Sequence, residues 1–468
     1  MYNRPDRRVS RVIGRRRLKG LLALLSLIIL PQAYAVTAGC EFKRDGLRMM
    51  APRRCEWRLR SGSVIPQFRK AENRNSASRS LAPRSGRVLI VSQATVNGVA
   101  ICVRDLVQAA VSGGYRVTVA CPSNGDLPAW VRERGASWEP LEMRRSPHPG
   151  DLLAVMRIRR LARTHGLVHA HSSKAGVVGR LAVASLGRRR PPIVFTPHGW
   201  SWLVGGRLAP LYRQTERIML PLATAVVAVS AEERAHGQAI LGPQAAGIKV
   251  NANGVDVSRF SPEGPVADRP DDPLIVCVGR LCHQRAPDVA IAALALMRTP
   301  SVRLRLVGDG EDRVAIENLV SAMNLDGRVE FTGFRPDPAP DLRAADVVVI
   351  PSRYDGMALI LLEAMACGAA IVATRVAGSS ALNGAGRLVP ADDPGSLAEA
   401  VDALLADPEE RRLLGAAARQ RVVEHYSLQH SLQGILRLWR NLGARPAADL
   451  PDTENQLQDV SAGRKEGR

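Results

Sequence analysis

The chain is poor in aromatic side chains, with Phe, Tyr and Trp making up 4% of its 468 residues. Its cores must therefore be filled mainly by Ala, Val and Leu. Cysteine is sparse as well: there are 7, an odd number, and no two are spaced Cys-x-x-Cys. That argues against a zinc or disulfide framework and for a reducing compartment. No repeat of solenoid period is present. The apolar run at residues 21–30 stops at Pro31, short of the ~20 residues that a membrane-spanning helix needs.

Acidic residues are too few to balance the basic ones, 44 against 65, for a net charge of +21. The imbalance is local. Residues 1–86 hold 20 Lys/Arg and 5 Asp/Glu, and the remainder holds 45 against 39. A body of +6 does not call for a polyanion, so no nucleic-acid partner is expected.

Residues 4–19 are Arg-rich, residues 21–30 are apolar, and Ala33-Tyr34-Ala35 follows, the three parts of a secretory signal. Arg15-Arg16-Arg17-Leu18-Lys19 has a faint likeness to a twin-arginine signal. Residues 40–86 are rich in Arg and Ser and lack periodicity, so the segment 1–86 is expected to be a largely disordered extension or a tether. A cytoplasmic setting is expected for the body that follows.

From residue 87 the texture changes. Strand-like apolar runs lie at 88–92, 116–121, 167–171, 193–196, 225–230 and 248–251. After a Pro/Asp-rich stretch at 261–273 come 274–278, 302–307, 328–331, 347–351 and 370–374. Helical stretches such as 151–164, 286–297, 311–323 and 396–406 lie between them. This alternation predicts an α/β protein of two doubly wound, Rossmann-like domains, 87–260 and 261–426, facing a cleft. A final helix over 427–443, which must bury the stripe Leu432, Ile435, Leu436 and Trp439 at helical spacing, and a flexible tail over 444–468 complete the expected layout. Ligands of such sheets bind beyond the carboxyl ends of strands.

The densest motif runs Pro351-Ser352-Arg353-Tyr354-Asp355-Gly356-Met357-Ala358, then Leu362-Glu363-Ala364-Met365-Ala366-Cys367-Gly368 and Ala373-Thr374. A strand end, a glycine turn and a helix starting near Met357 suit a phosphate at the helix N-terminus. Eight helical residues between Asp355 and Glu363 would rise ~12 Å. That is too far for a retaining hydrolase, whose carboxyls stand ~5 Å apart. It suits the two ends of a sugar nucleotide.

In this motif and others the chain resembles family 4 of the retaining GT-B glycosyltransferases, over residues 87–442. The further matches are Val278-Gly279-Arg280-Leu281 with Arg285, Asn253-Gly254-Val255-Asp256 with Phe260, Val307-Gly308-Asp309-Gly310, and Phe331-Thr332-Gly333. His169-Ala170-His171-Ser172-Ser173-Lys174-Ala175-Gly176 and Thr196-Pro197-His198-Gly199 are similar to members that build bacterial surface polysaccharides. The resemblance implies donor ribose on Glu363, donor sugar on Asp355, and the diphosphate leaving group on Arg280 and Arg285. It implies backbone contacts to the donor from Gly98, in the loop after the first strand, and from Gly308, Gly333, Gly356 and Met357, with His198 near the anomeric carbon. His171 and Lys174 fall on the acceptor side. Three positions depart from the family pattern: Asp355 replaces Glu, Arg285-Ala286 replaces Lys-Gly, and no Glu follows Gly378.

Plainer readings stand beside these. Glu363 could be a helix-face acid, Asp355 a cap, and Arg280 a solvated charge. His169 and His171 share a strand face and suggest a metal pair, but no third ligand is evident, so packing is favoured. Gly308-Asp309-Gly310 lacks the third glycine of a dinucleotide fingerprint. No Asp-x-Asp occurs, which removes the usual metal-chelating motif of the other large transferase fold. Neither metal nor cofactor is expected. Arg157, Arg159, Arg160 and Arg163, with arginines 188–190, could touch the inner membrane face or be solvated.

The expected function is transfer of a sugar from a nucleoside-diphosphate sugar to a glycan or lipid-linked acceptor in polysaccharide synthesis, with retention and without metal. A sugar-nucleotide epimerase or hydrolase, and a non-catalytic degenerate transferase acting as a binding or scaffold protein, are the alternatives.

Overall fold

The computed structural model describes residues 86–446. The expectations for the rest of the N-terminal extension, and for the tail past Pro446, lie outside the described residues.

Two sheets form, each wholly parallel. The first has β1 (Arg87–Ser92), β2 (Arg116–Cys121), β3 (Ser137–Pro140), β4 (Leu167–His171), β5 (Ile193–Thr196), β6 (Ala225–Ala228) and β7 (Lys249–Val250), ordered β3-β2-β1-β4-β5-β6-β7. Its helices are α1 (Asn97–Ser112), α2 (Leu127–Glu133), α3 (Asp151–Ala162), α4 (Ser173–Ala184), α5 (Ala209–Met219) and α6 (Ala231–Leu241). The second has β8 (Leu274–Val278), β9 (Arg303–Val307), β10 (Val329–Gly333), β11 (Val347–Ile350), β12 (Ile371–Thr374) and β13 (Arg387–Val389), ordered β10-β9-β8-β11-β12-β13. With it go α7 (Pro287–Leu296), α8 (Arg313–Ala322), α9 (Ala339–Ala344), α10 (Leu359–Ala366), α11 (Pro394–Ala406) and α12 (Pro408–His425), followed by α13 (Leu428–Asn441). In both sheets the strand order reverses beside the first strand, between β1 and β4 and between β8 and β11. Crevices for ligands open at such points.

Strands covered on both faces must be apolar on both, and β1 shows how. Leu89 and Val91 pack with Val168, Ala170 and Ile158 on one face, while Val88 and Ile90 pack with Val103, Leu106 and Trp439 on the other. The alternation is the two-residue period of a strand.

Trp439 comes from α13, which carries the chain from the second sheet back to the first. Ile435 and Trp439 are buried there, with Leu432 and Leu436 packed beside them. The crossing is tied by Val255 N to Tyr426 O at 2.9 Å and Leu428 N to Val255 O at 2.8 Å. Gly254 is required at this seam, because a Cβ there would lie 2.7 Å from Leu428 Cα. The expected tail does not begin at 444: Ala444 is buried and its carbonyl accepts from Tyr115 Oη at 3.1 Å.

Two strands were not expected from the sequence, and two local expectations are corrected. β3 and β13 have 4 and 3 residues, mostly half-exposed, at sheet edges, with no alternation to reveal them. Gly98 is not in a loop but in the first turn of α1. Helix α10 starts at Leu359 rather than near Met357, so the stretch from Asp355 to Glu363 is part turn and part helix, and no full helical rise separates them.

Candidate active site

The loops after β8 and β11 meet at the switch point of the second sheet. The Arg285 guanidinium binds Asp355 and lies 3.3 Å from Ser352 Oγ. Asp355 is nearly buried, and its other oxygen accepts from Gly356 N at 2.8 Å. That bond occupies the amide which the sequence reading offered to a phosphate. Ala286, where the family pattern has Gly, takes left-handed backbone at φ 52. Arg280 is partly exposed, with Glu311 at 3.7 Å. Gly308 and Gly333 lie side by side at the ends of β9 and β10, Gly308 N donating to Gly333 O at 2.9 Å.

Glu363 lies on α10 with no hydrogen-bond or ion-pair partner for its carboxylate among the described residues. Burial pushes this carboxyl up to about 7, and Asp337 adds to the shift while Arg259, Arg104 and Arg285 oppose it. A half-buried acid without a fixed partner has capacity for donors from a ligand.

The two loops are sewn together by Arg353, which sequence reasoning read only as part of a motif. Its guanidinium bonds Asp288 at 2.5 Å and Asp392 at 2.6 Å, and its backbone N donates to Gln284 O at 2.9 Å. The Asp288 bond holds the arginine above its ordinary pKa. Thr374 Oγ1 donates to Ser352 O at 2.5 Å from β12.

The first sheet contributes histidines. His171 ends β4 and His198 follows β5, with His171 Nδ1 and His198 Nε2 2.9 Å apart. His169 stacks against His171 with ring centroids 4.1 Å apart. Trp439 Nε1 donates to His169 Nδ1 at 3.2 Å. An indole can only donate, so His169 carries its proton on Nε2 and gives it to Thr196 Oγ1 at 2.9 Å. Burial lowers all three imidazoles, His169 to about 3, His198 to about 4 and His171 well below its ordinary value. They are neutral near pH 7. The partners of His169 and His171 are thus Trp439, Thr196 and His198. Lys174, near the start of α4, is bound to Asp151 at 2.5 Å.

The two halves touch at the site. A Cβ on Gly356 would lie 2.7 Å from Gly199 N, so only glycine allows this approach. Asn253 Nδ2 donates to Met357 O at 2.9 Å, and Gly98 faces Leu359. The site thus brings together His198, Arg285, Asp355, Gly356 and Met357. Asn253, also at this contact, was read only as part of a motif, and the buried acid Glu233 escaped sequence reasoning. Ser230-x-x-Glu233 has the form of a capping box and was the one available signal for the latter.

Comparison with known proteins places this geometry. Residues 96–259 match the family model described as Glycosyltransferase Family 4, and residues 272–407 match that of Glycosyl transferases group 1. A D-inositol 3-phosphate glycosyltransferase of Nocardia farcinica is 32% identical over 324 residues, 61% of this chain and 70% of that protein. A GDP-mannose-dependent alpha-(1-6)-phosphatidylinositol monomannoside mannosyltransferase of Mycolicibacterium smegmatis is 30% identical over 352 residues, 69% of this chain and 84% of its own. Anabaena Alr3699/HepE, solved in complex with UDP-glucose, superposes with a TM-score of 0.65 at 22% identity, covering 76% of this chain and 99% of that one. The fold is GT-B.

Proposed function

The chain belongs to the family 4 glycosyltransferases, and from that premise we propose that it moves a hexose from a nucleoside-diphosphate donor to a glycan or lipid-linked acceptor during polysaccharide synthesis. The observation that carries this reading is Arg285, held on Asp355 and Ser352 at the switch point of the second sheet, beside the loop that bears His198. Arg285 and Arg280 neutralise the diphosphate as it leaves, where preorganised charge is most effective. Gly308 and Gly333 let the donor approach the strand ends, and Glu363 accepts from the ribose hydroxyls. Asp355 and the neutral His198 contact the donor sugar.

In this reading the reaction proceeds with retention. The acceptor oxygen bonds to the anomeric carbon on the face from which the diphosphate departs, the carbon–oxygen bond to phosphate breaks, and the leaving phosphate oxygen takes the acceptor proton. Charge neutralisation falls to arginines, and no divalent metal is required. The donor is a UDP- or GDP-sugar, the classes named for the structural neighbour and the mannosyltransferase relative.

The enzyme works where sugar nucleotides are made, in the cytoplasm, with a peripheral hold on the membrane. Among the described residues no helix is long and apolar enough to cross a bilayer. Helix α3 exposes Leu152, Leu153 and Met156 beside Arg159 and Arg160, a pattern suited to an anionic lipid surface.

A screen with UDP-glucose, UDP-N-acetylglucosamine and GDP-mannose tests the reading. One nucleotide class should raise Tm, turnover should require a glycan or lipid-linked acceptor and survive EDTA, and the new bond should keep the donor's anomeric configuration by NMR. Donor consumption without acceptor would favour an epimerase or hydrolase, and binding without turnover a degenerate transferase.

A further inference from the structure

Glu233 is a carboxylate, 1% exposed, that none of the donor contacts uses. It stands in the first turn of α6, whose N-cap Ser230 accepts from Glu233 N through Oγ at 3.0 Å. In a reciprocal cap the acid at this position turns back onto the N–H of the cap residue. This one reaches further. Its Oε2 accepts from Val229 N at 2.6 Å, and its Oε1 accepts from Gly199 N at 2.5 Å. Its backbone carbonyl accepts from Trp200 Nε1 at 2.8 Å. One residue therefore holds both Gly199 and Trp200, immediately after His198.

That turn needs holding. His198 and Gly199 are consecutive left-handed residues, with φ of 55 and 96, and a side-chain-bearing residue stays there only under constraint. The same carboxylate also faces the other half of the site. A Cβ on Gly356 would sit 3.1 Å from Glu233 Oε1, and Asp355 is near enough to add to the burial that pushes the Glu233 carboxyl up.

We propose that Glu233 is the positioning residue of this site: its carboxylate fixes the His198–Gly199 turn and sets it in register with the Asp355–Gly356 turn. The proposal rests on the reading of His198 and Asp355 as donor-sugar contacts. Glu233 itself touches no substrate. It acts through His198, so its effect depends on that side chain.

Glu233→Gln is close to isosteric, but the two N–H donors lie on different oxygens, and replacing one oxygen by NH2 sets a donor against a donor there. The test compares wild type, Glu233→Gln, His198→Ala and the double variant. It measures nucleoside-diphosphate release from whichever of UDP-glucose, UDP-N-acetylglucosamine or GDP-mannose the wild type turns over. Donor affinity in Glu233→Gln should stay within about twofold of wild type while kcat falls at least about tenfold. In the His198→Ala background the same substitution should cost less than about threefold, the non-additivity of residues acting as a unit. Glu233→Asp keeps the charge and serves where the amide variant does not fold; it should show the same dependence on His198. Equal losses in both backgrounds, as a merely structural residue gives, would overturn the proposal, as would an unchanged kcat. An unaffected His198→Ala enzyme would instead overturn the site reading on which the proposal stands.

Discussion

Arg285 and Asp355 pair across the loops that follow β8 and β11. Both depart from the family pattern, and the departures offset one another: the acid is one methylene shorter, and the base is longer and ends in a planar fork that still reaches it. Arg280, Arg285, Asp355 and Glu363 stood out in the sequence because they follow strand ends or lie on a helix in a dense motif, and the structure brings Arg285 and Asp355 together. What Arg353, Asn253 and Glu233 bind did not show, because their partners lie far along the chain. Arg353 reaches Asp288 across 65 residues, Asn253 reaches Met357 across 104, and Glu233 reaches Gly199 across 34. Only the topology brings those segments together. Glu363 supports a prediction with a definite sign. Burial raises its carboxyl to about 7, so its contribution to folding is fully present below the ordinary carboxylate range and is lost as pH rises through about 7. Ribose hydroxyls donate best to the ionised form, so donor binding should strengthen from pH 6 to 8. A hydrogen bond to a charged group contributes about 1.5–3 kcal/mol. Glu363→Gln should therefore weaken the donor roughly tenfold or more and flatten the pH dependence in calorimetric titrations. A wild-type affinity that does not vary over this range would detach Glu363 from the ribose.

At the scale of elements, long periodic segments were legible and short or displaced ones were not. The apolar stripe of α13 showed in the sequence at Leu432, Ile435, Leu436 and Trp439, and those residues do face the first sheet. The start of α10 was misplaced because residues 356–358 are held by tertiary contacts, Gly356 against Gly199 and Met357 O by Asn253, which local propensity cannot anticipate. Helix α13 also backs the histidines through Trp439, which is fully buried against Tyr115 and His169. Trp439→Ala should cost about 3–5 kcal/mol in urea unfolding. Trp439→Phe keeps a ring but leaves His169 Nδ1 without its donor, and should cost about 1–3 kcal/mol. Stabilities of both variants within about 0.5 kcal/mol of wild type would show that the crossing helix is not part of the folding unit.

The whole molecule was legible in outline, because strand–helix alternation repeated on either side of a Pro/Asp-rich stretch leaves few architectures other than two parallel sheets. The net charge would have misled had it not been divided along the chain, since the excess lies ahead of residue 87. What composition could not show is how closely the two sheets approach one another, with Gly199 and Gly356 in contact and His198 and Asp355 beside them. That approach brings residues of both halves to one place, and the proposed chemistry hangs on the positive charge next to Asp355. The most direct measurement is turnover of the preferred sugar nucleotide by Arg285→Ala at saturating donor and acceptor. Loss of one preorganised group at a developing negative charge lowers kcat by about 100-fold or more, and the account predicts that loss in a variant that folds and still binds donor. A folded Arg285→Ala enzyme with wild-type kcat would contradict it.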